Sequence, residues 1–297
     1  MPPTVASALA DGREALRRTG SPTPRLDAEV LLAHVLGRDR SWLLAHPEAA
    51  VDAEEAWTDA LARRVSGEPV AYIRGFKEWR SLRIRTDARA LIPRPETELL
   101  AEAAIAEVQA RLAGDRTPVV WEVATGSGAV AVAVGLHFRG ELEAGRLRLV
   151  ASDVSSDALA LAAENLEAHG VEALVDLIRA DLLQPADGMM PRPDVVIANL
   201  PYVASAEVDE RRGSLGFEPR IALDGGTDGL AFLRALLASL PDRAGAGATA
   251  LLEVGVGQAP TIGELAPTGA SVTVVPDLAG LDRVVRVTLP GSGRPVG

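Results

Sequence analysis

The sequence predicts an α/β protein whose mostly parallel sheet is covered by helices on both faces, preceded by a small all-helical portion and a β-hairpin. Three observations point to this. Strand-like and helix-like segments alternate through the later chain, as in "VVWEV" followed by "SGAVAVAVGLHF" and "LRLVASD" followed by "SSDALALAAENLEAHG". The strand segments are near-continuous aliphatic runs, the pattern of strands buried on both faces. The opening segment instead reads as short helices, with no strand pattern before "YIRGFKEWRSLRIRTDARALIP".

In chain order, "SPTPRLDAEVLLAHVLG" predicts a helix burying Leu26, Val30, Leu31 and Val35 and stopping at Gly37. "SWLLAHP" is another short piece. "DAEEAWTDALARRVSG" offers Asp52 as its cap with Glu55 three residues on, and ends near Gly67. Helices this short need partners to be stable. The alternation at Leu82 and Ile84 predicts the hairpin, and "PRPETELLAEAAIAEVQARLAG" a strong helix with Pro95 near its first turn and Gly114 beyond its end. Later strands are expected at "VDLIRAD", "DVVIAN", "TALLEVG" and "DRVVRVTL", and the closing "PGSGRPVG" reads as a frayed tail.

Composition narrows the function. Of 297 residues, nearly half are apolar but only 3% aromatic, so the core is aliphatic and alanine-rich, and the length suits one large domain plus a smaller one. A net charge of −11 argues against a general nucleic-acid binder, since phosphate contacts come mainly from Lys and Arg, and Lys77 is the only lysine. With no cysteine, disulfides, thiolate metal sites and cysteine nucleophiles are excluded, and no metal site is expected. The start, "MPPTVASALADGREALRR", lacks a signal-peptide core, and no uncharged apolar run approaches the ~20 residues of a membrane span. A cytoplasmic protein is expected, and a monomer is favoured.

"WEVATGSGAVAVAV" reads as strand, tight loop and helix. Gly126 and Gly128 allow a sharp turn and a close approach to a ligand at a helix N-terminus. A glycine turn alone is equally a structural device. The context favours a ligand: Asp153 ends the next strand, where a carboxylate suits ribose hydroxyls, and Asp181 with Leu182 ends the one after, where they meet an adenine edge and face. An adenosine-containing cofactor follows, which leaves both NAD and S-adenosylmethionine open.

The fourth strand ends in "VIANLPYV". An apolar strand has no folding need for Asn199, Leu200, Pro201 and Tyr202 at its tip. An amide or aromatic amine is a poor nucleophile that carries two N–H donors. An asparagine oxygen and one backbone carbonyl, here those of Asn199 and Leu200, can take both and aim the lone pair at a sulfonium methyl. They also stabilise the positive charge that grows on nitrogen. Tyr202 can lie against the planar group, and Pro201 keeps Leu200 extended. A nicotinamide oxidoreductase gives this tetrad no role.

The run "GEPVAYIRGFKEWRSLRIRTDARALIPRPETELL", followed by "TGSG", "DVSSDALALAAENL", "DLL", the Asn-x-Pro-Tyr tetrad, "GTDGL" and "LLEVG", resembles the peptide chain release factor glutamine methyltransferases along nearly the whole chain. "LIPRPETE" is the most specific part. The resemblance implies a Rossmann-like class I methyltransferase sheet with an antiparallel strand near the C-terminus, and a division into a helical docking domain (1–74), a hairpin link (75–92) and a methyltransferase domain (93–297). It implies methyl transfer from S-adenosylmethionine to the side-chain nitrogen of the glutamine in the Gly-Gly-Gln tip of a release factor. Ala124, Thr125, Gly126, Ser127 and Gly128 would then hold the methionine part of the cofactor, Asp153 its ribose, Asp181 and Leu182 its adenine. Asn199 to Tyr202 would bind the glutamine, and Arg94, Pro95, Glu96 and Thr97 would lie near the cofactor.

Two departures stand out. Leu200 replaces the usual first proline of Asn-Pro-Pro-Tyr; the carbonyl survives, but the restraint on Asn199 is lost. Asn-Leu-Pro-Tyr also resembles the tetrad of ribosomal RNA adenine dimethyltransferases. Ahead of the loop, Glu122-Val123-Ala124 stands where the family has Asp-Leu-Gly, keeping the acid and requiring a negative φ at Ala124 for an easy turn. The alternatives are a methyltransferase for a ribosomal-protein glutamine or an RNA adenine N6, and a non-catalytic paralogue that binds release factors. The four histidines look incidental, and positioning is expected to dominate over acid–base chemistry.

Overall fold

The structure, a computed structural model, describes residues 2–114, 116–185, 190–211 and 213–291. It divides into two compact units, Met1–Lys77 with Arg211–Phe217, and Glu78–Glu210 with Glu218–Gly297.

The first unit contains helices α1 (Val5–Arg18), α2 (Pro24–Leu36), α3 (Arg40–Ala45), α4 (Glu54–Val65) and α5 (Val70–Arg74). Thr4 and Ser7 form a reciprocal capping box at the start of α1. The core gathers Val5, Leu16, Leu31, Leu32, Leu43, Val51 and Trp57. Two expectations fail here. α4 starts after Ala53 with no side-chain cap, so Asp52 lies one residue too early to cap it. On α2 the buried set is Asp27, Ala28, Glu29, Leu31, Leu32 and Ala33, while Leu26 is exposed. The reason is that charged residues enter the packed face: Arg64 donates to Asp27 at 2.8 Å, with both side chains nearly buried. Arg64 also donates to Ser214 Oγ at 3.0 Å, which ties the 211–217 segment into this unit.

The division between the units falls within β1 (Phe76–Trp79), which pairs with β2 (Leu82–Arg85) as the expected hairpin. In the second unit, α6 (Thr97–Leu112) begins after Glu96, two residues beyond Pro95. There follow β3 (Val119–Val123), α7 (Ala129–His137), α8 (Arg139–Glu143), β4 (Arg148–Asp153), α9 (Ser156–Ala168), β5 (Val175–Asp181), β6 (Gln184–Pro185) and β7 (Val195–Ala198). The chain continues through α10 (Ser205–Asp209), α11 (Ala231–Arg243), β8 (Thr249–Glu253), α12 (Ala259–Leu265), β9 (Ser271–Pro276) and β10 (Asp282–Thr288).

The strand order is β6-β5-β4-β3-β7-β8-β10-β9. β5, β4, β3, β7 and β8 run parallel, and β10 runs antiparallel between β8 and β9. One apolar cluster covers each face: Leu100, Val108, Val132 and Phe138 belong to one, Leu233, Leu236, Leu237 and Ile262 to the other. The chain steps outward from β3 to β5 and then returns to the other side of β3. That reversal leaves a crevice at the carboxyl ends of β3 and β7, where ligands bind in open α/β sheets. The strand β9 was not expected from sequence. Its "SVTVVP" run carries the β-branched pattern of a strand and was passed over; it forms an edge strand with no fully buried residue. Among the described residues no helix is long and apolar enough to cross a membrane.

Candidate active site

The register sets strand tips side by side. Val123 pairs with Ser152 and with Ala198, and Ala198 with Leu252, so Ala124, Asp153, Asn199 and Glu253 all sit at one end of the sheet. A cavity of 320 Å³ opens there, and the loop after β3 forms one wall.

In that loop Ala124, Gly126 and Gly128 have φ of +54°, +54° and +77°. The negative φ expected at Ala124 is therefore wrong: the backbone turns left-handed at once to let Thr125 N donate to Ser152 O of β4 at 2.8 Å. Gly128 serves packing as well as turning, since a Cβ there would stand 3.1 Å from that of Ala162 on α9. Gly126 N donates to Asp153 Oδ2 at 3.0 Å and Ser155 N to Asp153 Oδ1 at 2.9 Å, so the carboxylate is held rigidly at the cavity wall. Burial raises the Asp153 pKa against these bonds.

Glu122 is buried beneath the loop, and burial chiefly, with the Asp153 charge adding, pushes its carboxyl up to about 8. Among the described residues, Glu122 Oε2 and Thr125 Oγ1 are buried without a hydrogen-bond partner. Such atoms are costly unless something polar meets them. Both residues line the cavity, with the apolar Leu91, Val130, Leu182 and Phe232 around them. This mixture suits a ligand that joins a polar head to a flat aromatic system. Asp181 and Leu182 lie at the end of β5 in the same lining, Leu182 at φ +52°.

At the neighbouring tip of β7, Asn199, Leu200 and Pro201 line the cavity. Asn199 Nδ2 donates to Thr97 Oγ1 at 3.1 Å, which leaves Oδ1 as the free end of the amide. Tyr202 lies outside the lining. Its ring packs by Gly255, where a Cβ would sit 3.2 Å from Cδ2, and its carbonyl accepts from Gln258 Nε2 at 3.0 Å. Burial, with Glu253 adding, lifts its hydroxyl to about 12. Arg94 and Thr97 also face the cavity, whereas Pro95, Glu96 and Gly128 do not. Arg94 is held at 2.6 Å by Glu218, a buried acid that also accepts from Ile92 N at 3.1 Å.

The "GTDGL" run and Gly225 just before it back the tetrad. Gly225 N donates to Val203 O at 2.8 Å. A Cβ at Gly225 would come within 2.6 Å of Pro201 O, and one at Gly229 within 2.3 Å of Tyr202 O. Only glycine admits so close an approach.

Sequence reasoning passed over Glu218, Pro219, Ile221 and Phe232, none of which carries a motif by itself. It also gave no role to Glu253, although an acid inside the apolar run "LLEVG" is a visible signal. Glu253 is 1% exposed, and both its carboxyl oxygens lack a hydrogen-bond partner among the described residues. Burial first, then the Glu96 charge, raises it to about 7, while the neighbouring Thr97 hydroxyl and Asn199 amide restrain the rise.

Residues 7–75 match the family described as the PrmC N-terminal domain. The chain is 35% identical over 292 residues to the release factor glutamine methyltransferase of Rhodopirellula baltica, covering 96% of each. It is 38% identical over 265 residues to that of Bordetella pertussis, covering 88% of this chain and 93% of the relative. Among solved structures it is similar to a methyltransferase from Pyrococcus furiosus (TM-score 0.50, 18% identity, 79% of this chain and 99% of that one). It is also similar to the hMettl16 catalytic domain (TM-score 0.52, 16% identity, 80% and 84%). At these identities the two structures bear on the fold, which is that of class I methyltransferases.

Proposed function

The chain belongs to the release factor glutamine methyltransferases, and from that membership we propose that it transfers a methyl group from S-adenosylmethionine to the side-chain amide nitrogen of the glutamine in the Gly-Gly-Gln tip of a peptide chain release factor. The observation that carries the reading is Asn199: its nitrogen is engaged by Thr97, and the residue lines a cavity shared with the glycine loop and Asp153.

When bound, S-adenosylmethionine supplies an electrophilic sulfonium methyl. The loop from Ala124 to Gly128, Glu122 and Asp153 would hold it, with Asp153 accepting from the ribose and Asp181 and Leu182 meeting the adenine. Thr125 Oγ1 and Glu122 Oε2, unmatched among the described residues, would find partners in its polar groups.

Asn199 Oδ1 and the Leu200 carbonyl accept the two N–H groups of the glutamine amide and aim its lone pair. The same acceptors stabilise the positive charge that builds on nitrogen as the new N–C bond forms and the C–S bond breaks. The surplus proton leaves to water once the nitrogen has become acidic, so no side chain need act as a base. The Tyr202 ring packs by Gly255, outside the cavity lining. Pro201, Leu91 and Ile221 form the apolar part of the wall against which the glutamine stem would rest.

The test is mass spectrometry of a release factor incubated with the protein and S-adenosylmethionine. One added methyl on the Gly-Gly-Gln glutamine, absent with Asn199→Ala, is expected. Cofactor binding without transfer would reject the substrate and direct attention to ribosomal proteins and RNA.

A further inference from the structure

We propose that Glu253 is a positioning residue which, through the Thr97 hydroxyl, fixes the Asn199 amide with its nitrogen inward and its oxygen toward the cavity. This rests on the reading of Asn199 given above. Glu253 lies outside the cavity lining and does not touch substrate; it acts on the residue that does.

The geometry starts with register. Ala198 pairs with Leu252, so Asn199 and Glu253 leave neighbouring strands together. Thr97, in the first turn of α6, stands against both. The other charged or titratable groups that bear on Glu253 are Glu96 before α6, Arg283 on β10 and Tyr202 after β7. Arg283 is engaged by Asp277 at 2.9 Å and by Glu96 at 3.8 Å. No cation pairs with the Glu253 carboxyl itself, whose oxygens are both unmatched among the described residues.

An asparagine amide has two ends of nearly equal size, and a hydroxyl accommodates either, accepting from Nδ2 or donating to Oδ1. Thr97 alone therefore cannot orient Asn199. An ionised Glu253 removes the ambiguity because it can only accept. A rotation of the neighbouring Thr97 hydroxyl would give its single hydrogen to that carboxylate, leaving the Thr97 oxygen as an acceptor for the Asn199 nitrogen, which it meets at 3.1 Å. Protonated, Glu253 becomes a donor and the chain of bonds reverses. Asn199 then offers its NH2 group to a substrate that also carries only donors at that point, and binding in the reactive pose is lost. The crossover is set where burial places the Glu253 titration, about 7.

The chain has only two asparagines, Asn165 and Asn199. Protein labelled on asparagine nitrogen thus shows two side-chain amide pairs by NMR. Asn165, fully buried and donating to Ser127 O at 2.9 Å and Arg85 O at 3.2 Å, serves as the internal reference and the check that a variant is folded. In the free protein the Asn199 pair should titrate with a midpoint near neutrality, and in Glu253→Gln it should not, while the Asn165 pair stays put in both. Glu122 titrates in a nearby range, so the decisive result is loss of the titration rather than its midpoint. Methylation of the release factor should fall about tenfold per pH unit on the acid side of that midpoint. Glu253→Gln should be about tenfold slower and flat with pH, and Glu253→Asp, which restores the acceptor, should recover the acid limb. An Asn199 pair that does not titrate, or titrates equally in Glu253→Gln, overturns the proposal whatever the substrate proves to be. Titration of Asn199 without methyl transfer by the wild type supports the link from Glu253 to Asn199 and overturns the substrate reading instead.

Discussion

Asn199 at the tip of β7 donates to the Thr97 hydroxyl in the first turn of α6 across 3.1 Å, joining the tetrad directly to the "RPET" run. Two motifs separated by a hundred residues of sequence thus form one hydrogen-bonded unit at the cavity wall. Thr97 is buried, and its backbone N donates to Arg94 O at 3.2 Å, so the first turn of α6 holds the hydroxyl in place.

Thr97→Val keeps the shape and removes that hydroxyl. The Asn199 nitrogen then loses its acceptor, and the cost of leaving it unmatched is about 1–3 kcal/mol. The expected outcome is a fall of about tenfold or more in kcat/KM for the release factor, with affinity for S-adenosylmethionine unchanged. Steady-state kinetics paired with calorimetric cofactor titration checks it. An equal loss in both would mean that the substitution disturbs the whole cavity.

Gly229→Ala tests the backing of the tetrad. The added Cβ would fall 2.3 Å from Tyr202 O and 3.0 Å from Gln258 Nε2, and the first contact is with backbone that cannot step aside. Its φ of +73° adds strain to any residue with a side chain. Methyl transfer should drop steeply, and the melting temperature should fall by several degrees, in line with a loss of about 1–3 kcal/mol. Gly280→Ala, also at positive φ but with open space around its Cβ, separates the strain from the clash.

The left-handed turn at Ala124 predicts a stabilising change. An L-residue in this region costs roughly 1–2 kcal/mol, part of which glycine gives back through its larger unfolded-state entropy. Ala124→Gly should therefore raise stability by up to about 1 kcal/mol without lowering activity. Thermal unfolding and the methylation rate together decide it. A drop in stability would mean that the alanine methyl contributes packing worth more than the strain.

How far the sequence spoke for the site depends on the kind of residue. Asp153 and Asn199 were legible because a strand buried on both faces has no use for polar tips, so each advertised a task. Glu253 was equally visible as a letter, but its meaning comes from the β7–β8 register and from α6 arriving over it, which no local pattern encodes. Tyr202 was expected against the substrate; its ring packs by Gly255, a neighbour that the motif alone does not reveal. Ala124 is neutral about its φ until the turn demands a sign. β9 was legible in the β-branched "SVTVVP" and was passed over, and the helical unit misled at Leu26 because Asp27 and Arg64 occupy buried positions where a purely apolar face was assumed.

Glu122 links the cavity floor to the pH dependence of stability. Its carboxyl is lifted from an ordinary 4.5 to about 8, first by burial and further by the Asp153 charge. Below 4.5 the group is protonated in both the folded and the unfolded chain, and the contribution is fully present. Between these values the folded protein holds a proton that the unfolded chain has released, so stability falls as pH rises, by up to about 1.4 kcal/mol per pH unit from this one group. Above 8 the loss is complete and the curve levels. Glu253, lifted to about 7, adds a parallel slope that ends earlier. Glu122→Gln removes the titration while keeping the size, so its stability relative to the wild type should climb from mildly acid to mildly alkaline pH. Urea unfolding of both proteins across that range measures the difference. A gap that stays constant with pH would mean that Glu122 is ionised in the fold, and that a cation or donor reaches it where the structure shows an unmatched Oε2.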